Sequence, residues 1–313
     1  MAEIDRDAVL AAASTGTTGT YWASVQPDRI ALYSQYGDRT FAEVDAHANQ
    51  LVRALRARGI EAGDGLALMC VNRPEFVEAA GASTRSGMRL TTVNWHLTGE
   101  EAGYIVDDCE ATVFVADATF AAAAEEAAAA APRLKAKIAI GGEIPGFERW
   151  DDVLGEHEGA PLEDPALGGT MLYTSGTTGR PKGVRRVADG TASPLLAIAS
   201  RYDRDAHVHL CTGPLYHAAP LAFSLAAPAA LGVPIVLMDG WDAEETLQLI
   251  DKHRVTHTHM VPTMFNRLLA LPDDVKAQYD VSSLTYILHG AAPCPVQVKQ
   301  RLIEWVGPIV NEY

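Results

Sequence analysis

The chain has 313 residues, of which 48% are hydrophobic and 21% charged, a balance that excludes collagen-like, disordered and coiled-coil proteins. The length exceeds what a single core usually holds, so we expect two subdomains. The net charge of −15 argues against a nucleic-acid-binding or polybasic membrane-surface protein, although a small anionic ligand needs only a local positive site.

The first half of the chain alternates helix and strand signals. Thr40 followed by Glu43 predicts a capping box that opens a helix, and Gly59 predicts where this helix stops. The apolar run 66–71 predicts a buried strand, and Pro74 predicts the first turn of the next helix. A βα order of this kind is typical of a parallel sheet with helices packed on it.

The same alternation continues to residue 168. Thr98 predicts a second capping box, 111–116 a strand and the alanine-rich segment 118–131 a surface helix. The segment 141–168 is rich in glycine, proline and acidic residues, so we expect a loop region there.

The second half repeats the pattern with shorter elements. Its predicted strands are 170–173, 207–211, 235–238, 255–260 and 286–288, and its predicted helices are 242–253 and 295–305. We therefore predict an α/β fold with parallel-rich sheets flanked by helices in a layered arrangement of two subdomains, approximately 62–192, and 1–61 with 193–313. Ligands of such folds bind where strands end and loops begin.

No charged residue occurs between 218 and 238, a run long enough to span a bilayer. Pro220, Pro228, Pro234 and Gly232 interrupt this run. A buried helix followed by a buried strand is therefore the favoured interpretation, and a membrane span is the weaker alternative.

The four cysteines are Cys70, Cys109, Cys211 and Cys294, and no pair has the C-x-x-C spacing of zinc ribbons or redox sites. Scattered cysteines in a chain of this size predict reduced, mostly buried thiols of a cytoplasmic protein. The acidic N-terminus lacks the apolar segment of a secretory signal.

The segment Tyr173 to Val184 carries the strongest chemical signal. It combines three glycines, several hydroxyls, Arg180 and Lys182 directly after an apolar run. Glycines let backbone N–H groups surround an anion, hydroxyls donate to phosphate oxygens, and lysine adds positive charge. The order Pro-Lys-Gly differs from a Walker A loop, so we predict a different polyphosphate loop, with a flexible linker as the alternative.

A second segment, Ser14 to Thr20, has a similar composition. It lacks both the preceding strand signal and the following lysine, so we expect an N-terminal loop without a phosphate-binding role.

The segment Tyr173 to Val184 resembles the signature loop of the adenylate-forming enzymes, which include acyl-CoA synthetases, luciferases and peptide-synthetase adenylation domains. Three further segments resemble motifs of this superfamily in the same order. They are Pro214-Leu215-Tyr216-His217, Gly290-Ala291-Ala292-Pro293 and Val310-Asn311-Glu312-Tyr313. The resemblance covers the chain from about Thr40 onward and implies the N-terminal domain of that fold.

The resemblance also implies roles for individual residues. The implied triphosphate-binding residues are Thr174, Ser175, Gly176, Thr177, Thr178, Gly179 and Lys182. The implied adenine-lining residues are Gly290, Ala291 and Ala292, and Tyr313 is either the aromatic that stacks on adenine or its neighbour.

At the acyl side, His217 resembles the gating histidine between nucleotide and acyl group; the alternative is a buried, hydrogen-bonded histidine at a helix start. The implied catalytic residues are thus His217 and Lys182, and the implied acyl-binding residues are His217, Ala218 and Ala219. The two small alanines suggest an open apolar channel.

The implied reaction is the ATP-dependent activation of a carboxylic acid to an acyl-adenylate, followed by thioester formation with coenzyme A. The expected small molecules are ATP, Mg²⁺, coenzyme A and an acid, and no residue is assigned as a metal ligand. A fatty acid is the expected substrate; an aryl or steroid-like acid, and a non-catalytic nucleotide- or acyl-binding module, are the alternatives.

Family members continue beyond the last motif into a ribose-binding aspartate, a hinge and a C-terminal cap domain. The resemblance therefore implies that this chain lacks the cap domain and has little ligase activity alone.

The histidines at 253, 257 and 259 could suggest a metal site. Only one carboxylate, Asp251, lies near them in the sequence, so a polar cluster at a strand end is the favoured interpretation.

Overall fold

The structure is a computed structural model that describes residues 5–174, 180–186 and 201–313. Its contacts divide the chain into two units. Unit 1 comprises the described residues of 1–29 and 39–192, and unit 2 comprises those of 30–38 and 193–313.

The sequence predicts that 1–29 and 39–61 belong with 193–313, whereas the contacts place the described residues of both ranges in unit 1. The helix Phe41–Ala57 packs against the helix Pro74–Arg85, and both lie in unit 1. This packing of consecutive helices explains why 39–61 belongs to unit 1.

The described strands are β1 Ile30–Tyr33, β2 Arg39–Thr40, β3 Gly65–Met69, β4 Arg89–Thr92, β5 Ala111–Asp117, β6 Ala136–Ile140, β7 Glu148–Arg149, β8 Gly169–Thr174, β9 Lys182–Arg186, β10 His209–Cys211, β11 Ile235–Leu237, β12 His257–Met260, β13 Tyr286–His289 and β14 Val310–Glu312. The described α-helices are α1 Arg6–Thr15, α2 Thr18–Val25, α3 Phe41–Ala57, α4 Pro74–Arg85, α5 Gly99–Asp108, α6 Ala121–Ala129, α7 Trp150–Gly155, α8 Ala218–Pro220, α9 Ala227–Ala230, α10 Ala243–His253, α11 Pro262–Ala270, α12 Asp273–Lys276 and α13 Val296–Val306.

Unit 1 contains a sheet with the strand order β7-β6-β5-β3-β4-β8-β9. Its strand pairs are parallel apart from the antiparallel pair β8 and β9. All five residues of β3 are buried, which is the continuous apolar run expected of a central parallel strand. The sheet thus matches the predicted parallel-rich architecture and ends in one antiparallel hairpin.

Unit 2 contains parallel strands in the order β14-β13-β12-β10-β11-β1. Its core includes Leu210, Val236 and Phe265, all at most 1% exposed. Because these strands are parallel, their carboxyl ends lie at one edge of the sheet, where ligands of α/β folds usually bind.

Both predicted capping boxes are confirmed. The Thr40 hydroxyl accepts from the Glu43 backbone N–H, and the Glu43 carboxylate accepts from the Thr40 backbone N–H. Thr98 and Glu101 form the same reciprocal pair at the start of α5. The helix that begins at Pro74 is also confirmed, since proline occupies its first turn.

Two regions predicted as loops contain helices. The segment 141–168 contains α7, and the segment Ser14 to Thr20 joins α1 to α2 through a single turn. Gly16 ends α1 with a positive φ of 75°, and a Cβ there would lie 2.2 Å from the Thr84 carbonyl oxygen. Glycine is therefore needed at this turn for a close backbone approach.

The uncharged segment 218–238 folds as the predicted helix followed by a strand. Its helical part includes a π-helical stretch, Leu221–Ala226, between α8 and α9, and its strand is β11. Among the described helices, none has the length and apolarity needed to cross a membrane.

Candidate functional site

In unit 1, the predicted phosphate segment begins and ends in the β8–β9 hairpin. Thr174, the last residue of β8, is paired in register with Lys182, the first residue of β9, and both are exposed. The predicted residues Ser175, Gly176, Thr177, Thr178 and Gly179 lie outside the described residues. The structure thus places a hydroxyl and an ammonium group side by side where the loop begins and ends.

The third glycine of the segment, Gly183, has a packing role that the sequence did not indicate. Gly183 is the cross-strand partner of Tyr173. A Cβ at Gly183 would lie 2.3 Å from Met171 Cε and 3.0 Å from Tyr173 Cζ. Gly183 therefore leaves room for the Tyr173 ring to lie across the hairpin, which adds to the anion-binding role expected of glycines here.

In unit 2, the other predicted segments follow three parallel strands at their carboxyl ends. His217 lies six residues beyond the end of β10, the segment 290–292 follows β13 directly, and Tyr313 follows β14 directly. β13 and β14 are adjacent, with His289 paired in register with Glu312. The fold thus brings the predicted adenine loop and Tyr313 together.

The Tyr313 ring lies against Gly290. A Cβ at Gly290 would be 2.4 Å from Tyr313 Cε1, and the Tyr313 backbone N–H donates to the His289 carbonyl at 3.2 Å. The tyrosine side chain is 51% exposed, so one part of it faces solvent. Ala291, the residue after Gly290, has a φ of +64°, a left-handed conformation that L-residues rarely adopt. Such conformations are common at functional sites.

Two further aromatic side chains contact Tyr313. The Phe223 ring centroid lies 4.6 Å from that of Tyr313, and His259 Nε2 lies 3.3 Å from the Tyr313 hydroxyl oxygen. Phe223 and His259 are themselves stacked, with ring centroids 5.6 Å apart. Burial lowers the pKa of His259 to about 4, so its imidazole is neutral at neutral pH.

The sequence analysis did not assign Phe223 or His259 to the site. Phe223 belongs to the π-helical stretch, a feature that is frequent at functional sites. His259 belongs to the histidine cluster predicted at a strand end, but its contact with Tyr313 depends on the pairing of β12 with β13, which the sequence does not show.

His217 is exposed at the residue before α8, which excludes the alternative of a buried histidine. Its ring centroid lies 4.3 Å from that of Tyr216. Ala218 is exposed and Ala219 is half-buried, so the small side chains that follow His217 leave one face of the helix start open.

An ionic pair lies beside the same strand ends. Lys299 Nζ on α13 donates to Glu312 Oε2 at 2.9 Å, and the same oxygen lies 3.8 Å from His289 Nε2. The His289 side chain is fully buried, and burial lowers its pKa.

Within the described ranges, no group of three or more histidine, cysteine, aspartate or glutamate side chains could hold a metal ion. His257 and His259 are buried on one strand, while His253 lies on α10 with its ring 4.6 Å from that of Tyr33. The four cysteines are free thiols, and Cys70, Cys109 and Cys211 are buried as expected.

Comparison with known proteins gives concordant matches. The model of the family described as AMP-binding enzyme matches residues 20–313. The 2-succinylbenzoate–CoA ligase of Bacillus licheniformis is 29% identical over 299 residues, which cover 93% of this chain and 58% of that protein. The feruloyl-CoA synthase of an Amycolatopsis species is 30% identical over 268 residues, which cover 85% of this chain and 52% of that protein.

The solved structure of the anthranilate CoA ligase AuaEII in complex with anthranoyl-AMP superposes with a TM-score of 0.84 at 24% identity. The match covers 95% of this chain and 58% of that chain, and it supports the fold alone. The chain therefore spans a little over half the length of the proteins it matches.

Proposed function

The chain belongs to the AMP-binding enzyme family, and from this premise we propose that it is part of an ATP-dependent acid–thiol ligase. In the proposed first step, a substrate carboxylate oxygen attacks the α-phosphorus of ATP, and pyrophosphate leaves. In the second step, the thiol of coenzyme A attacks the acyl carbonyl carbon, and AMP leaves. Such chemistry depends mainly on positioning and on stabilising the charge of the phosphoryl group.

The observation that carries this proposal is the packing of Tyr313 on Gly290 at the carboxyl ends of β13 and β14. An aromatic ring that is half exposed beside a glycine offers a flat apolar surface on which an adenine base can stack. We assign adenine to Tyr313 and to the loop Gly290, Ala291 and Ala292.

We assign the phosphates of ATP to the β8–β9 hairpin of unit 1. Lys182 supplies positive charge and Thr174 a hydroxyl donor, and the two are neighbours in the ladder. Arg180 adds a second cation close by in the sequence. These assignments explain how a chain with a net charge of −15 can bind an anion: the positive charge is local.

ATP is expected to carry magnesium. The ion would bind phosphate oxygens and neutralise part of their charge, and no described residue is assigned as its ligand.

For the acyl group, we propose an aromatic acid. The two curated relatives described above are named for 2-succinylbenzoate and ferulate, both of which are aromatic acids. Phe223 and His259 form a stacked aromatic pair beside Tyr313, and such a surface suits a flat ring. These observations favour the aryl alternative over the fatty acid expected from the small residues Ala218 and Ala219. His217 is assigned to the boundary between acyl group and nucleotide.

The proposal is tested by calorimetric titration of this chain with two stable mimics of an acyl-adenylate, benzoyl-sulfamoyl adenosine and dodecanoyl-sulfamoyl adenosine. Both carry the same nucleoside, so their affinities differ only through the acyl group. We expect the benzoyl compound to bind more tightly than AMP and more tightly than the dodecanoyl compound. Tighter binding of the dodecanoyl compound would favour a fatty acid, and binding of neither would contradict an adenylate site.

A further inference from the structure

One flank of α5 contacts β8 and the two residues that precede β9. The core-facing side of α5 consists of Ala102, Gly103, Ile105 and Val106. Tyr104 and Asp108 are four residues apart and therefore lie together on one flank of the same helix, where Tyr104 also packs against the core. Asp108 contacts β8, and Tyr104 contacts the two residues immediately before β9.

Tyr104 contacts the segment that enters β9. Its hydroxyl donates to the Pro181 carbonyl oxygen at 3.3 Å. The guanidinium carbon of Arg180 lies 4.9 Å from the centre of the Tyr104 ring, within the range of a cation–π contact. Both contacts are made to the two residues immediately before Lys182.

Asp108 contacts the end of β8. The Tyr173 hydroxyl donates to Asp108 Oδ2 at 2.5 Å, and Tyr173 is the residue immediately before Thr174. Burial and this carboxylate raise the pKa of Tyr173 well above its ordinary value, so the phenol keeps the proton that it donates. The Tyr173 ring also packs against the core of unit 1.

We propose that Tyr104 and Asp108 are positioning residues that hold the two ends of the phosphate segment and thereby set the placement of Lys182 and Thr174. Neither residue needs to touch the nucleotide. The inference rests on the assignment of the hairpin to the phosphates of ATP. It assigns a role at the phosphate site to α5, a helix that lies outside the segment Tyr173 to Val184.

The contacts of Tyr104 and Asp108 differ from ordinary packing of a helix on a sheet, because they are made to the residues next to Lys182 and Thr174. Tyr104 fixes the residue before Lys182, and Asp108 fixes the residue before Thr174. Loss of either contact should therefore affect triphosphate binding more than binding of AMP, which lacks the β- and γ-phosphates.

The test compares the wild-type chain with Tyr104→Leu, Tyr104→Phe and Asp108→Ala. Tyr104→Phe removes only the hydroxyl bond to Pro181, and it remains informative if the leucine variant fails to fold. Asp107→Asn is the matched control, because it removes a carboxylate from the same turn of α5. The Asp107 carboxylate pairs with Arg133 and not with the hairpin.

Two readouts are needed: amide hydrogen exchange of peptides covering 169–174 and 180–186, and the affinities for ATP and for AMP. We expect Tyr104→Leu and Asp108→Ala to accelerate exchange in the hairpin about tenfold and to weaken ATP about tenfold, with little change for AMP, because each variant loses a hydrogen bond next to a phosphate-binding residue. Tyr104→Phe should show the same pattern at a smaller size, and Asp107→Asn should match the wild type.

The outcomes separate the two proposals. Unchanged hairpin exchange in folded Tyr104→Leu and Asp108→Ala, or an equal response in Asp107→Asn, would overturn the anchoring role. Equal losses for ATP and AMP would also overturn it, because they would indicate a general structural effect. Accelerated hairpin exchange in a chain that binds neither nucleotide would support the anchor and contradict the proposed function.

Discussion

Replacing Gly290 with alanine tests the proposed adenine surface. The added Cβ would lie 2.4 Å from Cε1 and 2.5 Å from Cζ of Tyr313, whereas carbon atoms normally pack about 3.5–4.0 Å apart. The ring must therefore retreat by roughly 1 Å or more, or swing away from the loop. Because Tyr313 is half exposed, the ring has room to move into solvent.

We expect the cost in stability to be modest. The ring movement breaks the contact between the Tyr313 hydroxyl and His259, so the free energy of unfolding should fall by about 1 kcal/mol. The loss of nucleotide affinity should be larger, since stacking of one base on an aromatic side chain contributes about 1–3 kcal/mol. This loss corresponds to a roughly 5- to 150-fold weaker affinity for AMP.

The assay is calorimetric titration with AMP, combined with urea unfolding. Gly155→Ala is the matched control, because a Cβ at Gly155 meets nothing within 4 Å and the residue lies at the end of α7. We expect this control to bind AMP like the wild type. If Gly290→Ala binds AMP within about twofold of the wild type, adenine does not depend on this surface and the assignment is wrong.

Three further predictions concern unit 1. Lys182→Met should weaken the affinity for ATP by about tenfold or more with little effect on the affinity for AMP, because one charge-assisted hydrogen bond contributes about 1.5–3 kcal/mol. Calorimetric titration with both nucleotides checks this prediction. Gly183→Ala should lower the free energy of unfolding by about 1–3 kcal/mol through overpacking against Met171 and Tyr173, measured by urea unfolding, and an unchanged value would refute the packing role of this glycine. The hydrogen bond to Glu78 raises the pKa of His47 above 6.5. The stabilisation by this hydrogen bond is therefore present below pH 6.5 and is lost as pH rises through the folded-state pKa. The difference in free energy of unfolding between wild type and His47→Gln should shrink from pH 6.5 upwards, and a constant difference would contradict this prediction.

The histidines whose pKa is lowered by burial, such as His257 and His259, are neutral in both the folded and the unfolded chain well above pH 6.5. Their effect on stability appears only as pH falls below that value, so these histidines do not contribute to changes in stability above it.

The parts of the fold that the sequence predicted are those fixed by local chemistry. The hydroxyl of Thr40 caps its own helix through Glu43, three residues away, and Pro74 suits the first turn of a helix regardless of its neighbours. Continuous apolar runs such as the one in β3 likewise indicate parallel strands. These signals need no knowledge of distant contacts.

The parts of the fold that the sequence does not predict depend on contacts between separate elements, either strand pairing or helix packing. The segment Lys182–Arg186 has the composition of a loop, yet it forms β9 because β8 provides a ladder for it. The grouping of 39–61 depends on the packing of α3 on α4, which helical periodicity alone does not specify.

The candidate site shows the same division. The segments around Lys182, His217, Gly290 and Tyr313 were identified from the sequence because each is a contiguous motif. The contact of His259 with Tyr313 joins residues 54 positions apart and exists only through strand pairing, so the sequence could not reveal it.

A crystal structure of this chain with benzoyl-sulfamoyl adenosine tests the proposed nucleotide and acyl assignments most directly. We expect the adenine to stack on Tyr313 above the Gly290 loop, with the benzoyl ring beside Phe223 and His259. Adenine bound away from Tyr313, or an acyl ring without contact to Phe223, would contradict the proposed function.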